Sequence, residues 1–239
     1  MSSIDRPTLR EWLQQSPFSL ALSAGFFGFF AHCGFLSVLE SAGLLPDRLS
    51  GTSAGALVAA AWASGLDTES LYQLFLSLKR QDFWDPQPGL GLLAGQRFRA
   101  LLTEKLPVQS FQQCRTPLSL SAHDLIQRQT QVLQTGELVP AIYASCAVPW
   151  LFHPIWLNQK LLCDGGLSDR AALKGIPAPE RVLLHHLPSR SKWRSWLKQP
   201  ALIPDRPQLA VVSIETLPSV SPFRLQVGRF AFEMARQEM

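Results

Sequence analysis

Residues Ser53 to Ser64, SAGALVAAAWAS, are almost wholly small and apolar and stop at Gly65. A helix without a polar face must be enclosed on all sides. This segment therefore predicts a central buried helix and a fold with enough layers to cover it. It is entered from a short strand-like run, residues 47–50 (DRLS), through Gly51. A strand that turns directly into a buried helix is a unit of layered α/β architecture.

The same order occurs upstream. Residues 18–22 (FSLAL) form an apolar run that breaks at Ser23-Ala24-Gly25, and residues 29–42 carry helical spacing up to Gly43. Strand, loop, helix, strand, turn and helix in sequence predict a parallel sheet with helices packed over it. Downstream, patterning predicts helices over 68–79, 96–105 and 137–147, and strands over 118–122 and 131–134. A short strand, 160–163, runs into Asp164-Gly165-Gly166. Late strands at 181–187 and 209–214 and a terminal helix over 222–236 complete the pattern. Residues 81–95 (QDFWDPQPGLGLLAG) read as a loop or lid, because Pro and Gly punctuate them. No repeat or low-complexity tract is present. The expected organisation is a polar extension over 1–17 and one domain over 18–239.

Of 239 residues, 46% are hydrophobic and 17% charged, against about 25% charged in a typical soluble chain. That balance excludes a disordered chain, a coiled coil and a charged nucleic-acid tail. The formal charge is +4. It is concentrated: residues 181–200 hold Arg181, Arg190, Lys192, Arg194 and Lys198, no acidic residue, and Trp193 and Trp196. Such a segment suggests contact with an anionic membrane surface or a nucleic acid; the alternative is a solvated loop and short helix. The first 17 residues lack the pattern of a secretory signal. The uncharged run Trp12–Leu39 is long enough to raise a membrane span, but Pro17, Gly25, Gly28 and Gly34 interrupt it. A strand, a turn and a buried helix explain it better. The expected location is the cytoplasm, with peripheral membrane contact as an option. Cys33, Cys114, Cys146 and Cys163 are widely spaced without a CxxC, and no HExxH occurs. Reduced cysteines, no metal and no cofactor are expected.

Gly51-Thr52-Ser53-Ala54-Gly55 reads G-x-S-x-G at the predicted strand–helix junction, where a nucleophile elbow sits. The turn crowds the backbone, so glycines flank the serine, and Ser53 projects at the positive end of a helix. The alternative is a serine that caps a buried helix. Asp164 follows the apolar run LLC and precedes two glycines. A carboxylate at a strand end in an apolar cleft loses solvation and becomes a better base; the alternative is an Asp-Gly turn. Ser23-Ala24-Gly25-Phe26-Phe27-Gly28 lies between the first strand and its helix. Its small residues can turn backbone N–H groups toward the serine as an oxyanion hole. A dinucleotide fingerprint is the competing idea, but the GxGxxG spacing is missing.

These three ordered motifs resemble the patatin-like phospholipase family. LALSAG…AHCGFLSVLESAGLLPDRLSGTSAGALVAAAWASG is similar to the family's N-terminal half, and ASCAVPWLF…LLCDGGLSD to its catalytic C-terminal segment. The resemblance covers roughly residues 18–187. It implies a three-layer α/β/α fold with a mainly parallel central sheet. It implies Ser53 as nucleophile and Asp164 as its partner in a Ser–Asp dyad, with no histidine required. Ala24, Gly25, Phe26 and Ala54 would supply the oxyanion hole, and Gly28, Gly51, Gly55, Gly165 and Gly166 are the motif glycines. The implied activity is hydrolysis of lipid acyl esters, of phospholipase A, lysophospholipase or carboxylesterase type, through an acyl-enzyme; with a lipid substrate implied, an anionic membrane is the expected partner of residues 181–200 and no nucleic acid is expected.

One departure stands out. The family loop usually reads GGGxRG or GGGxKG. Here Ser23 and Ala24 replace the first two glycines and Phe27 replaces the cation. Backbone donors survive such a change; the positive charge does not. Phe26, Phe27, Phe29 and Phe30 either line an acyl channel or pack in the core, with at least two expected in the core. Three other readings stay open. A Ser–His–Asp hydrolase would use Ser53, Asp164 and His185 or His186, but only 52 residues precede the serine, and both histidines lie in an apolar run (RVLLHHL). The other two are a lipid-binding protein of little turnover with the same fold, and an acyltransferase on the same dyad.

Overall fold

The structure is a computed structural model that describes residues 7–188 and 203–239. Its centre is a mostly parallel sheet flanked by helices. Strands β1 (Ser19–Leu22), β2 (Arg48–Thr52), β4 (Leu118–Asp124), β9 (Val182–His186) and β10 (Leu209–Ser213) run parallel in the order β10-β9-β1-β2-β4. Three antiparallel strands extend it. β5 (Gln129–Leu133) forms a hairpin with β4, β8 (Lys160–Asp164) pairs with β4, and β7 (Ile155–Leu157) pairs with β8. All residues of β1 and β9 are buried, as covering on both faces of a parallel sheet requires.

The segment SAGALVAAAWAS forms α3 (Ala54–Ala63), in which every residue is buried. It joins α2 (Phe29–Ser41), α4 (Thr68–Ser77), α6 (Leu138–Cys146) and the C-terminal helix α7 (Gly228–Gln237) in one apolar core. A smaller cluster, with Ala21 and Leu184 against Ala172 and Ile176, lies apart from it. α5 (Gln96–Lys105) has the bounds expected from the sequence. The terminal helix starts at Gly228 rather than residue 222. Within the expected loop over 81–95, β3 (Gly91–Leu93) pairs with β6 (Trp150–Phe152) in a separate two-stranded sheet.

The expected polar extension is a helix. α1 (Leu9–Gln15) is held by a capping box between Thr8 and Glu11, and Leu13 is buried in the core. Arg181 secures it from β9's approach: its guanidinium donates to the Ser16 and Trp12 carbonyls and lies over the Trp12 ring. Arg181 is thus engaged within the fold. The rest of the basic segment, from residue 189 with Trp193 and Trp196, lies outside the described residues. Among the described residues, no helix is long and apolar enough to cross a membrane.

One feature of β4 positions the site. Along its edge opposite β5, β4 pairs first with β2 up to Thr52↔Ser121 and then with β8 from Ala122↔Asp164. β2 runs parallel to β4 and β8 antiparallel, so their C-terminal ends meet head to head. The residue after Thr52 is Ser53, and the last residue of β8 is Asp164.

Candidate active site

Ser53 sits where β2 turns into α3, with φ 55° and ψ −121°. A non-glycine residue rarely adopts positive φ, and an observed outlier of this kind marks stored strain. It matches the sharp elbow expected from G-x-S-x-G. Gly55 makes the turn possible: a Cβ there would lie 2.1 Å from the Leu22 carbonyl oxygen. Ser53 Oγ donates to Asp164 Oδ2 at 2.5 Å, and both residues are buried. Asp164 is fixed in turn. Its Oδ1 accepts the Gly166 N–H at 2.7 Å, and its own N–H donates to the Ala147 carbonyl at 2.9 Å. A Cβ on Gly165 would strike the Ser121 carbonyl at 2.0 Å, which explains why glycine follows the aspartate.

Two residues of α6 brace the elbow, and sequence reasoning did not single them out. Ser145 Oγ accepts the Ser53 N–H at 2.9 Å and donates to the Ser121 carbonyl at 2.7 Å. Cys146 Sγ donates to the Ser53 carbonyl at 3.1 Å; burial, with the nearby Asp164 charge, holds its thiol well above the usual range. A second buried aspartate, Asp169, accepts from Ser121 Oγ and from the N–H groups of Leu173 and Lys174, and its carbonyl accepts from Thr52 Oγ1. It stitches the segment after Asp164 to the strands beneath.

The loop from Ser23 to Gly28 lies beside the elbow, since Gly55 abuts both Leu22 and Ser23. One expected oxyanion donor is corrected here. The Ala24 N–H is committed to the Arg170 carbonyl at 2.8 Å and is not available to a substrate. The N–H groups of Gly25 and Phe26 make no such bond among the described residues, and that of Ala54, the first residue of α3, has no partner within its own helix. Gly28 caps α2 and donates its N–H to the Gly25 carbonyl at 2.9 Å, which closes the loop. Phe27, at the position of the family's cation, adopts φ 53° and packs its ring on Phe29 and Phe83. Phe29 and Phe30 are in the core, whereas Phe26 is 58% exposed.

His185 and His186 are not brought to Ser53 Oγ, whose partner is Asp164. The His185 ring is fully buried, stacks on Phe35 and meets His32. Among the described residues no cluster of His, Cys, Asp and Glu could hold a metal ion. Chemically, the arrangement offers a hydroxyl hydrogen-bonded to a fixed carboxylate, beside backbone donors at a loop and a helix N-terminus.

Residues 20–175 match the family model for patatin-like phospholipase. An uncharacterized NTE family protein of Mycobacterium tuberculosis is 32% identical over 159 residues, 62% of this chain and 25% of its own. Another, from Mycobacterium bovis, is 27% identical over 175 residues, 67% of this chain and 46% of its own. The chain therefore spans a quarter to about half the length of these curated relatives. Among solved structures, VipD from Legionella pneumophila aligns with a TM-score of 0.64 and 14% identity, over 93% of this chain and 66% of that one. The type III effector ExoU of Pseudomonas aeruginosa aligns with a TM-score of 0.51 and 16% identity, over 92% and 51%. At these identities the likeness is one of fold.

Proposed function

The chain belongs to the patatin-like phospholipase family, and on that premise we propose that it is a lipid acyl hydrolase working through a Ser53–Asp164 dyad. The observation that carries the reading is the 2.5 Å hydrogen bond from Ser53 Oγ to Asp164 Oδ2, made by a serine held in a strained elbow. Ser53 Oγ attacks the acyl carbonyl carbon while its proton passes to Asp164 Oδ2. The oxyanion is received by the N–H groups of Gly25, Phe26 and Ala54. The bond to the alcohol then breaks, the alcohol leaves with the proton from Asp164, and the acyl group stays on Ser53 as an ester. Water attacks that ester, gives a proton to Asp164, and the fatty acid departs as Ser53 regains its hydrogen.

A lipid substrate is supported by exposed apolar side chains on the segments that build the site. Phe26, Leu167 and Trp150 are exposed, with Trp150 at 81%. Each belongs to a segment that builds the site: the loop at Gly25, the turn after Asp164, and the chain following Ala147. Exposed apolar side chains on such segments suit an apolar partner. The test is a panel of short esters, lysophospholipids and phospholipids with the wild type, Ser53→Ala and Asp164→Asn. Hydrolysis by the wild type that both variants lose is expected. Activity that persists in both variants refutes the dyad.

A further inference from the structure

The peptide unit between Ser23 and Ala24 is gripped at both ends. Its carbonyl, on Ser23, lies 2.8 Å from His32 Nε2, and its N–H, on Ala24, donates to the Arg170 carbonyl at 2.8 Å. Ser23 is fully buried and tied at its other polar groups as well: its N–H donates to the His185 carbonyl at 3.2 Å, and its Oγ accepts the Leu187 N–H at 2.8 Å. The next peptide unit carries the Gly25 N–H, so only the two backbone dihedrals of Ala24 separate the gripped plane from the first proposed oxyanion donor.

The grip through His32 depends on which ring nitrogen holds the hydrogen. A carbonyl only accepts, so His32 Nε2 must carry the proton. The other nitrogen, His32 Nδ1, lies 2.9 Å from His185 Nδ1. Both rings are fully buried, and desolvation holds His32 down to about 3 and His185 well below its usual value, so both are neutral. A neutral imidazole has one N–H. His32 Nδ1 is therefore a bare acceptor and His185 Nδ1 the donor to it. The remaining nitrogen, His185 Nε2, is left as a lone pair with no partner among the described residues. A buried unpaired acceptor is costly, and an apolar residue stacked on Phe35 would avoid that cost. What histidine adds at 185 is the Nδ1–H that fixes the tautomer of His32.

We propose that His185 and His32 form a neutral, one-way relay that sets the Ser23–Ala24 peptide and thereby aims the Gly25 and Phe26 N–H groups at the oxyanion. Both are positioning residues and carry no proton in the reaction. The proposal rests on the reading of Ser53 as the nucleophile, and its test separates the two. Nitrogen-edited NMR of the histidine rings at neutral pH should find His32 protonated at Nε2 and His185 at Nδ1. The opposite tautomer, or an imidazolium at either ring, overturns the relay. In kinetics on a short ester, His32→Leu should lower kcat by about tenfold to a hundredfold, up to the worth of one oxyanion donor, with KM little changed. His32→Gln, whose amide can donate to Ser23 and accept from His185, should restore most of the loss. Should His32→Leu fail to fold, His185→Phe, which keeps the ring on Phe35, takes its place with the same expected fall in kcat. A folded His32→Leu or His185→Phe with wild-type kcat overturns the proposal. A wild type inert to both esters and a fluorophosphonate probe refutes the nucleophile and the positioning role with it, whereas normal reactivity with the wrong tautomers refutes the relay alone.

Discussion

Replacing Ser145 by alanine deletes one oxygen that lies at the base of the proposed nucleophile. That oxygen is fully buried, accepts the Ser53 N–H at 2.9 Å and donates to the Ser121 carbonyl at 2.7 Å. Alanine strands the Ser53 N–H, and a buried donor without a partner costs about 1–3 kcal/mol. The Ser121 carbonyl loses the Ser145 hydroxyl as a donor at the same time, and a loss of about 2 kcal/mol is expected. In a chain of this size each kcal/mol moves Tm by about 2–4 °C, which places the expected fall at about 4–8 °C. The chemistry should suffer separately. A non-glycine residue at φ 55° holds about 1–3 kcal/mol of strain, and the bond to Ser145 is one of the contacts that maintain it. If about 1.4 kcal/mol of that strain relaxes, the competent conformer falls about tenfold, and with it the rate of labelling at Ser53. Thermal melts and second-order labelling by a fluorophosphonate read the two effects independently. A Tm within about 1 °C of the wild type, together with an unchanged labelling rate, refutes the assignment of Ser145 as the brace of the elbow.

Two further outcomes follow from close contacts and buried rings. Gly55→Ala puts a methyl group 2.1 Å from the Leu22 carbonyl oxygen and 2.8 Å from that of Ser23, so β1 or the elbow must shift. Overpacking against backbone costs about 1–3 kcal/mol, and a lowered melt with greatly slowed labelling of Ser53 is expected; a crystal structure with β1 and the elbow unmoved would contradict this. His32 and His185 are neutral in the folded state but titrate near 6.5 when unfolded, so below that pH the unfolded chain binds more protons. Their contribution is complete above about pH 6.5 and is lost as pH falls, at about 1.4 kcal/mol per unit for each ring, or about 4 kcal/mol for both at pH 5. Urea midpoints measured from pH 7 to 5 should fall accordingly, and a flat profile would show that these rings are not buried neutral.

What the sequence made legible was local. Ser53 and Asp164 could be read because the glycines beside them answer to nearby backbone, Gly55 to Leu22 and Gly165 to Ser121. The all-apolar α3 announced its own burial. The TLRE run at Thr8–Glu11 carried a capping box, so the helix behind it was legible even though the segment read as an extension. Strands β6 and β7 have three residues each, too few for alternation to register. Ser145 and Cys146 lie in the ASCAVPWLF stretch that carries the resemblance, but their bracing role was not legible, because their partners exist only once α6 lies across the end of β2. The same holds for Ala24, whose N–H is taken by the carbonyl of Arg170 on a distant segment.

Loss of the loop's cation and the gripping of its first peptide have one physical explanation on the proposed mechanism. A flexible cationic side chain can follow a developing negative charge and needs little preorganisation. A peptide N–H has a fixed dipole and contributes only if it already points at the oxyanion. With Phe27 turned into the aromatic cluster at Phe29 and Phe83, stabilisation falls to the N–H groups of Gly25, Phe26 and Ala54, and their aim must be set in advance. Ser23 stands where the resembled loop has a glycine, and its hydroxyl accepts the Leu187 N–H that a glycine would leave unbound. Its carbonyl is held by a histidine whose tautomer is held by another. On the proposed mechanism, the loop therefore relies on a rigid Ser23 to aim its N–H groups where it has Phe27 and no cation.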